Sequence, residues 1–241
     1  MGKRIIQRAR GRGGPVYRVR KKAFKHRLGY PNLSGEAKII KLIHSAAHTA
    51  PVAKLEMKNG AETKLFYTPA FEGAYIGQII NITHNSEKKK GDVVRVEDLE
   101  VGDKIYNIER NPGDGGKLLR AAGTNAVISR KSKKAIYVRT PSKKEIILNP
   151  NCRVQIGVAA GSGRQDKPVM KAGKKYYIKK AKSKLWPRTS AVKMNVIDHP
   201  FGSGRGKRLT HGMKGKIAKR NAPAGAKVGL IRPRRTGRKK K

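Results

Sequence analysis

Val52-Ala53-Lys54-Leu55-Glu56-Met57-Lys58-Asn59-Gly60-Ala61-Glu62-Thr63-Lys64-Leu65-Phe66-Tyr67 decides the fold class. Ala53, Leu55 and Met57 alternate with Lys54, Glu56 and Lys58, which is the two-residue period of a strand with one buried face. Asn59-Gly60 follows directly, a strong hairpin signal because the favoured two-residue turn needs positive φ at its central positions. Beyond the turn, Ala61, Thr63, Leu65 and Tyr67 resume the alternation. Upstream, Ala37–His44 is rich in Ile and Leu, and downstream Gly77–Thr83 supplies another short strand. These strands imply a small antiparallel barrel within residues 34–85.

Ser86-Glu87-Lys88-Lys89-Lys90-Gly91 interrupts that pattern. A second set of short strands is expected at Lys104–Glu109, Ala126–Arg130, Ala135–Thr140, Lys144–Leu148 and Arg153–Val158. Their close spacing and the turn residues Pro141-Ser142 and Asn149-Pro150-Asn151 imply a second small barrel over 86–164. Asp92, Glu97, Asp98, Glu100 and Asp103 cluster where the two sets meet and are expected to form a solvated face.

The ends read differently. The whole chain of 241 residues carries a formal charge of +43. Residues 1–33 hold 11 basic residues and no acidic one, and residues 165–241 hold 25 basic against 2 acidic, so most of the excess sits in two extensions. A solubilising surface needs a net charge of only about 2–8. Charge at this density calls for a polyanion, above all nucleic acid. From Gly11 to Pro31 the chain is rich in Gly, Pro and Arg and lacks helical or strand periodicity. It is expected to be extended, and twenty-odd residues at about 3.3 Å each reach far beyond a domain of this size, into a partner rather than over its own core. The tail from 165 to 241 should be largely disordered alone, too poor in apolar surface to offset the cost of ordering its backbone. Tyr176, Tyr177, Leu185, Trp186, Met194, Val196, Ile197 and Phe201 punctuate it, which favours docking against a shaped surface over simple screening.

Several chemistries are disfavoured. Cys152 is the only cysteine, so no internal disulfide or thiolate cluster can form and a reducing, cytoplasmic setting is expected. No stretch approaches the ~18 apolar residues of a membrane span. His44 and His48 have the i, i+4 spacing of metal ligands, but no nearby carboxylate or cysteine completes a set. Asn111-Pro112-Gly113-Asp114-Gly115-Gly116-Lys117 is glycine-dense, with Arg120 close behind, and could bring backbone N–H groups and two cations to phosphate. It is not a nucleotide-binding P-loop, since Gly116-Lys117 runs into Leu118 where Ser or Thr is required. Asp198, His199 and Ser203 invite a hydrolase reading. No nucleophile elbow accompanies them, however, and Pro200 with its flanking glycines is better read as holding His199 at the tip of a rigid loop against RNA. A nonspecific protein that compacts nucleic acid or anneals RNA is the alternative that the charge alone would support.

The order of blocks is more telling. Thr49-Ala50-Pro51-Val52-Ala53-Lys54, Pro112-Gly113-Asp114-Gly115-Gly116-Lys117 with Arg120-Ala121-Ala122-Gly123-Thr124, and Asp166-Lys167-Pro168 with Lys171-Ala172-Gly173 come first. Trp186-Pro187-Arg188, Met194-Asn195, Asp198-His199-Pro200-Phe201-Gly202, Ala222-Pro223-Ala224-Gly225, Lys227-Val228-Gly229 and Arg235-Thr236-Gly237-Arg238 follow. Nearly end to end, the chain resembles the large-subunit ribosomal protein L-two family, in its archaeal branch. Two stretches differ: Ala46-Ala47-His48 stands where the family usually has a Pro-Gly-Arg-like turn, and Ser203 to Arg208 lacks further histidines often found there.

The resemblance implies an all-β body, an OB-fold barrel followed by an SH3-like barrel, with basic extended ends threaded into ribosomal RNA. It also implies a structural, non-enzymatic role in translation, supporting the peptidyl-transferase region, subunit association and tRNA placement. The loop Asp198, His199, Pro200, Phe201 and Gly202 would lie near that region. Expected RNA contacts in the N-terminal arm are Arg10, Arg12, Arg18 and Arg20, and in the body Gly115, Gly116, Lys117 and Arg120. In the tail they are Lys171, Lys174, Trp186, Arg188, Arg205, Lys207, Arg208, Arg234, Arg235 and Arg238. Partners are large-subunit RNA and neighbouring ribosomal proteins, with tRNA and the small subunit nearby. No cofactor is expected beyond Mg2+ brought by the RNA.

Overall fold

A computed structural model describes residues 4–15, 17–19, 23–60, 62–83, 88–132, 135–195, 197–199 and 202. The chain divides into two compact units, Arg20–Lys182 and the pairing of Met1–Val19 with Ser183–Lys241.

The larger unit is mostly β. Its strands are β1 (Gly35–Ile43), β2 (Val52–Asn59), β3 (Glu62–Pro69), β4 (Ile79–Ile82), β5 (Val93–Arg95), β6 (Lys104–Tyr106), β7 (Ala126–Lys131), β8 (Ile136–Arg139), β9 (Glu145–Leu148) and β10 (Arg153–Ile156). They form one open sheet in the order β3-β2-β1-β4-β5-β10-β6-β7-β8-β9. The two expected strand sets are therefore hydrogen-bonded to each other, through the parallel pairing of β4 and β5 at Ile82 and Val93.

The hairpin at Asn59-Gly60 forms, displaced by one residue. Asn59 pairs with Glu62 rather than closing the turn itself. Residues paired across an antiparallel ladder share a face. Leu55 opposes Phe66 and Ala53 opposes Thr68, which sends Phe66 and Thr68 inward and leaves Leu65 50% exposed. The residues expected to continue the alternation beyond the turn, Thr63, Leu65 and Tyr67, thus had the wrong parity, and Ala61 lies outside the described residues.

β5 was not anticipated. Val93 packs into a first core with Ile39, Leu55, Met57, Phe66 and Ile82, whereas Val94 packs into a second with Leu99, Ile105, Ile128, Val138 and Val154. β6 is divided in the same way, Tyr106 serving the first core and Ile105 the second. Strands covered on both faces lose the polar/apolar alternation that identifies a strand in sequence.

Three further expectations are corrected. Leu28 and Tyr30 are buried and Tyr30 belongs to the first core, so the arm from Leu28 onward covers the body rather than leaving it. Asp92 is 3% exposed, accepting from the Asn81 and Lys89 amides at 2.9 Å each, whereas Glu97, Asp98 and Glu100 are exposed as anticipated. Extended structure was expected throughout the two ends, yet each contains a helix, α1 (Ile6–Gly11) in the smaller unit and α2 (Ala172–Ala181) in the larger.

Candidate nucleic-acid interface

Glu109 organises the glycine loop. Its side chain is fully buried, and Oε1 accepts from the Gly115 amide at 2.9 Å and from Arg153 Nη2 at 2.9 Å. Oε2 accepts from the Gly113 amide at 3.2 Å and the Arg153 amide at 2.8 Å. Asp114 closes the loop on itself, accepting from the amides of Arg110 (3.1 Å), Asn111 (3.2 Å) and Gly116 (3.0 Å). Gly116 has φ +79°, and a Cβ there would lie 2.6 Å from the Asn107 carbonyl oxygen, so both conformation and space demand glycine.

The amides that the sequence offered to phosphate are therefore used inside the protein, beside two carboxylates. The arginines nearby are used in the same way. Arg120 donates to Asn107 Oδ1 (2.9 Å), the Leu28 carbonyl (3.2 Å) and the Gly115 carbonyl (3.1 Å), and burial lowers its pKa. Arg153 donates to the Pro31 carbonyl (2.7 Å) and Asn32 Oδ1 (2.6 Å), with its guanidinium 4.9 Å from the Tyr30 ring centroid. The Tyr30 hydroxyl lies 2.7 Å from the Arg153 carbonyl and 3.0 Å from that of Asn107. Burial first, then the Glu109 charge, raises the phenol's pKa well above its ordinary value. Together these contacts fasten residues 28–32 to the sheet and leave Lys117 as an exposed cation of the loop.

α2 is the opposite case. It reads Ala-Gly-Lys-Lys-Tyr-Tyr-Ile-Lys-Lys-Ala, and none of its residues is buried. Lys171 and Lys174 lie on its exposed N-terminal end. Tyr176 and Tyr177 are 39% and 69% exposed, edge-to-face at 5.5 Å, with Lys180 Nζ 5.4 Å from the Tyr176 centroid. A ten-residue helix without a buried stripe gains little from its own protein. Cations beside aromatic faces are the donor set for an RNA backbone and its bases.

In the smaller unit, Asp198, His199 and Gly202 are tied to nearby backbone. The Asp198 and His199 amides donate to the Asn195 carbonyl (3.0 and 3.2 Å), and the Gly202 amide donates to the His199 carbonyl (2.8 Å). Gly202 lies so close to the Asn195 backbone that no side chain fits. His199 is 4% exposed and lines a cavity of about 70 Å³ with Ile6, Arg10, Pro187, Arg188 and Met194. It is covered rather than offered at a loop tip, and burial lowers its pKa. Arg10 is half-buried in this cavity, Trp186 is half-buried, and Arg12, Arg18 and Arg188 are exposed. Arg18 Nε donates to the Gly13 carbonyl at 2.8 Å.

Residues 89–223, more than half of the chain, match the family model described as "Ribosomal Proteins L2, C-terminal domain". A protein of Archaeoglobus fulgidus named large ribosomal subunit protein uL2 is 44% identical over 98% of this chain and 99% of its own length. The chain belongs to the ribosomal protein L2 family. Other members are 40% identical in Hyperthermus butylicus, over the full length of both chains, and 43% identical in Methanococcus maripaludis, over 99% of this chain and all of the relative. Both carry the same printed name.

Within the L2-family match lie Glu109, its glycine loop, Arg120, Arg153 and α2, but not residues 28–32 that they fasten. Arg20, Pro200, Phe201, Ser203, Arg205, Lys207, Arg208, Arg234, Arg235 and Arg238 lie outside the described residues. His44 and His48 sit in a loop after β1, not on a helix face. His48 Nδ1 is 2.7 Å from Ser45 Oγ, and its ring meets Phe24 edge-to-face at 5.0 Å. Sequence reasoning missed the role of Glu109. An acidic residue in a strongly basic chain, just before a glycine loop, was the available signal.

Proposed function

We propose that this chain is a structural constituent of the large ribosomal subunit, held there by ribosomal RNA through its exposed cations. The observation that carries the reading is the end-to-end kinship with large ribosomal subunit proteins at 40–44% identity. The geometry distinguishes available cations from occupied ones. Lys117, Lys171 and Lys174 on the larger unit and Arg12 and Arg188 on the smaller are exposed and suited to phosphate, and Arg18 is exposed as well although its Nε is taken by the Gly13 carbonyl. Trp186 and the α2 tyrosines are suited to stacking. From Lys167 to Ile197 the chain contains no acidic residue, so nothing there repels a polyanion.

On this reading the chain holds an OB-fold-like part over 34–85 and an SH3-like part over 86–164, flanked by basic ends over 1–33 and 165–241. The ends, including Arg20, Arg205, Lys207, Arg208, Arg234, Arg235 and Arg238, reach into RNA and are neutralised by it. The Asp198–Gly202 loop stands near the peptidyl-transferase region, where the chain supports subunit association and tRNA placement without performing chemistry of its own. It works in the ribosome, in the cytoplasm, beside neighbouring ribosomal proteins, with Mg2+ supplied only through the RNA.

Protection footprinting of the full chain on large-subunit ribosomal RNA, at near-physiological salt and with excess unrelated RNA, tests this. Discrete protection that survives the competitor is expected. Diffuse protection that the competitor removes would replace the reading with nonspecific compaction.

A further inference from the structure

We propose that the β8–β9 hairpin is a further RNA contact, holding the phosphate backbone through Lys143 and Lys144 at its tip, with Arg139 beside them. The proposal rests on the RNA-binding reading above and gives it a position on the body that neither basic end supplies.

The body's charge is concentrated in this region. Residues 126–148, which hold β7, β8 and β9, contain seven basic residues and one acidic, and so carry six of the nine net positive charges of residues 34–164. No acidic residue lies between Asp114 and Glu145. Glu145 is answered within the meander, with Arg130 Nη2 3.7 Å away and Ser129 Oγ donating to it at 3.2 Å. Arg130 also lies over the Tyr137 ring, 3.8 Å from its centroid, and Lys131 Nζ donates to the Glu97 and Leu99 carbonyls at 2.6 Å each. Those two cations are occupied. Arg139, Lys143 and Lys144 are exposed, and among the described residues no protein group takes up their side chains. β9 is the last strand of the sheet, so the hairpin stands at its edge.

The turn shows that Lys143 is more than a solvated charge. The Lys143 amide donates to the Thr140 carbonyl at 2.9 Å, and the Thr140 amide donates to the Lys144 carbonyl at 3.0 Å. These bonds close a three-residue loop of Pro141, Ser142 and Lys143, a form whose last residue is left-handed. Lys143 has φ +62°, at the position where such a loop takes glycine. An exposed lysine kept there holds backbone strain from which the fold gains no packing, and that strain points to a use for the side chain. Thr140 Oγ1 donates to the Lys144 carbonyl at 2.8 Å and lies 2.9 Å from Ser142 Oγ, so the tip is braced and its hydroxyls are spent on each other. What the tip offers is ammonium groups, which engage phosphate as point charges and position RNA without reading its bases.

The test compares the full wild-type chain with Lys143→Gly/Lys144→Gln and with Lys38→Gln/Lys41→Gln, which removes the same charge from exposed positions of β1. Binding to large-subunit ribosomal RNA is measured against salt, with nucleotide-resolution chemical probing of each complex. The hairpin variant should flatten the slope of log affinity against log salt by about 1.5, the equivalent of two phosphate contacts. One cluster of protected nucleotides should become reactive in that variant and stay protected in the β1 variant. The urea unfolding midpoint of Lys143→Gly alone should be at least that of wild type, because strain is relieved as the charge is lost. An unchanged footprint and slope in the hairpin variant, equal effects of the two variants, or a lowered midpoint for Lys143→Gly overturns the hairpin contact while leaving the RNA-binding reading in place. Absence of discrete protection by the wild type overturns both.

Discussion

The Glu109 knot and α2 are both rich in cations, and they use them in opposite ways. Around Glu109, Arg120 and Arg153 donate to carbonyls, two amide oxygens and a carboxylate of their own protein, and they bind residues 28–32 to the sheet. On α2 not one of ten residues is buried, and Lys180 stands over the exposed Tyr176 ring. Formal charge therefore overstates the contacts available to RNA. A buried guanidinium specifies the fold, whereas an exposed lysine on an otherwise unsupported helix is available to a partner.

The contrast breaks most visibly at its buried end. Glu109→Gln should destabilise the protein by about 3–5 kcal/mol, because it leaves Arg153 as an uncompensated buried charge. Urea unfolding of the full chain measures this, and a loss below 1 kcal/mol would mean that the knot is incidental. Tyr30→Phe should cost about 1 kcal/mol, the net worth of a hydroxyl that lies between the Asn107 and Arg153 carbonyls. Thermal unfolding reads that loss, and an unchanged midpoint would exclude Tyr30 from fastening the arm.

The smallest effect concerns pH. Burial, followed by the charges of Arg120, His26 and Lys182, lowers the His48 pKa. A histidine whose folded pKa is depressed contributes its full stability above the unfolded value of about 6.5. That contribution is lost as pH falls toward the folded pKa, because the unfolded chain takes the proton first. Asp92 acts in the opposite sense, since burial raises its pKa and favours the protonated form on folding. The wild-type stability minus that of His48→Gln, followed between pH 7 and 5, isolates the histidine. The difference should shrink on acidification, and a difference independent of pH would show that His48 is not depressed.

The strands with one solvated face were legible in sequence because alternation survives there. β2 shows it in Ala53, Leu55 and Met57, all 1% exposed. β5 was illegible for the same reason in reverse, since Val93 and Val94 serve cores on opposite sides. Parity in β3 failed because a one-residue shift of the turn cannot be read from Asn59-Gly60 alone. The site divided similarly. Lys171 and Lys174 were identified by charge and are exposed, whereas Arg120 was chosen by the same criterion and is occupied. Charge is visible in a sequence, but a carbonyl supplied from 92 residues away, such as that of Leu28 to Arg120, is not.

The salt dependence of binding to large-subunit ribosomal RNA tests the central claim most directly. It should be measured for the full chain and for Lys171→Gln/Lys174→Gln/Lys180→Gln. Losing three phosphate contacts should flatten the slope of log affinity against log salt by about 2. Stability should stay within about 0.5 kcal/mol of wild type, since the three side chains are exposed. An unchanged slope at unchanged stability would contradict the assignment of α2 to the RNA-facing surface.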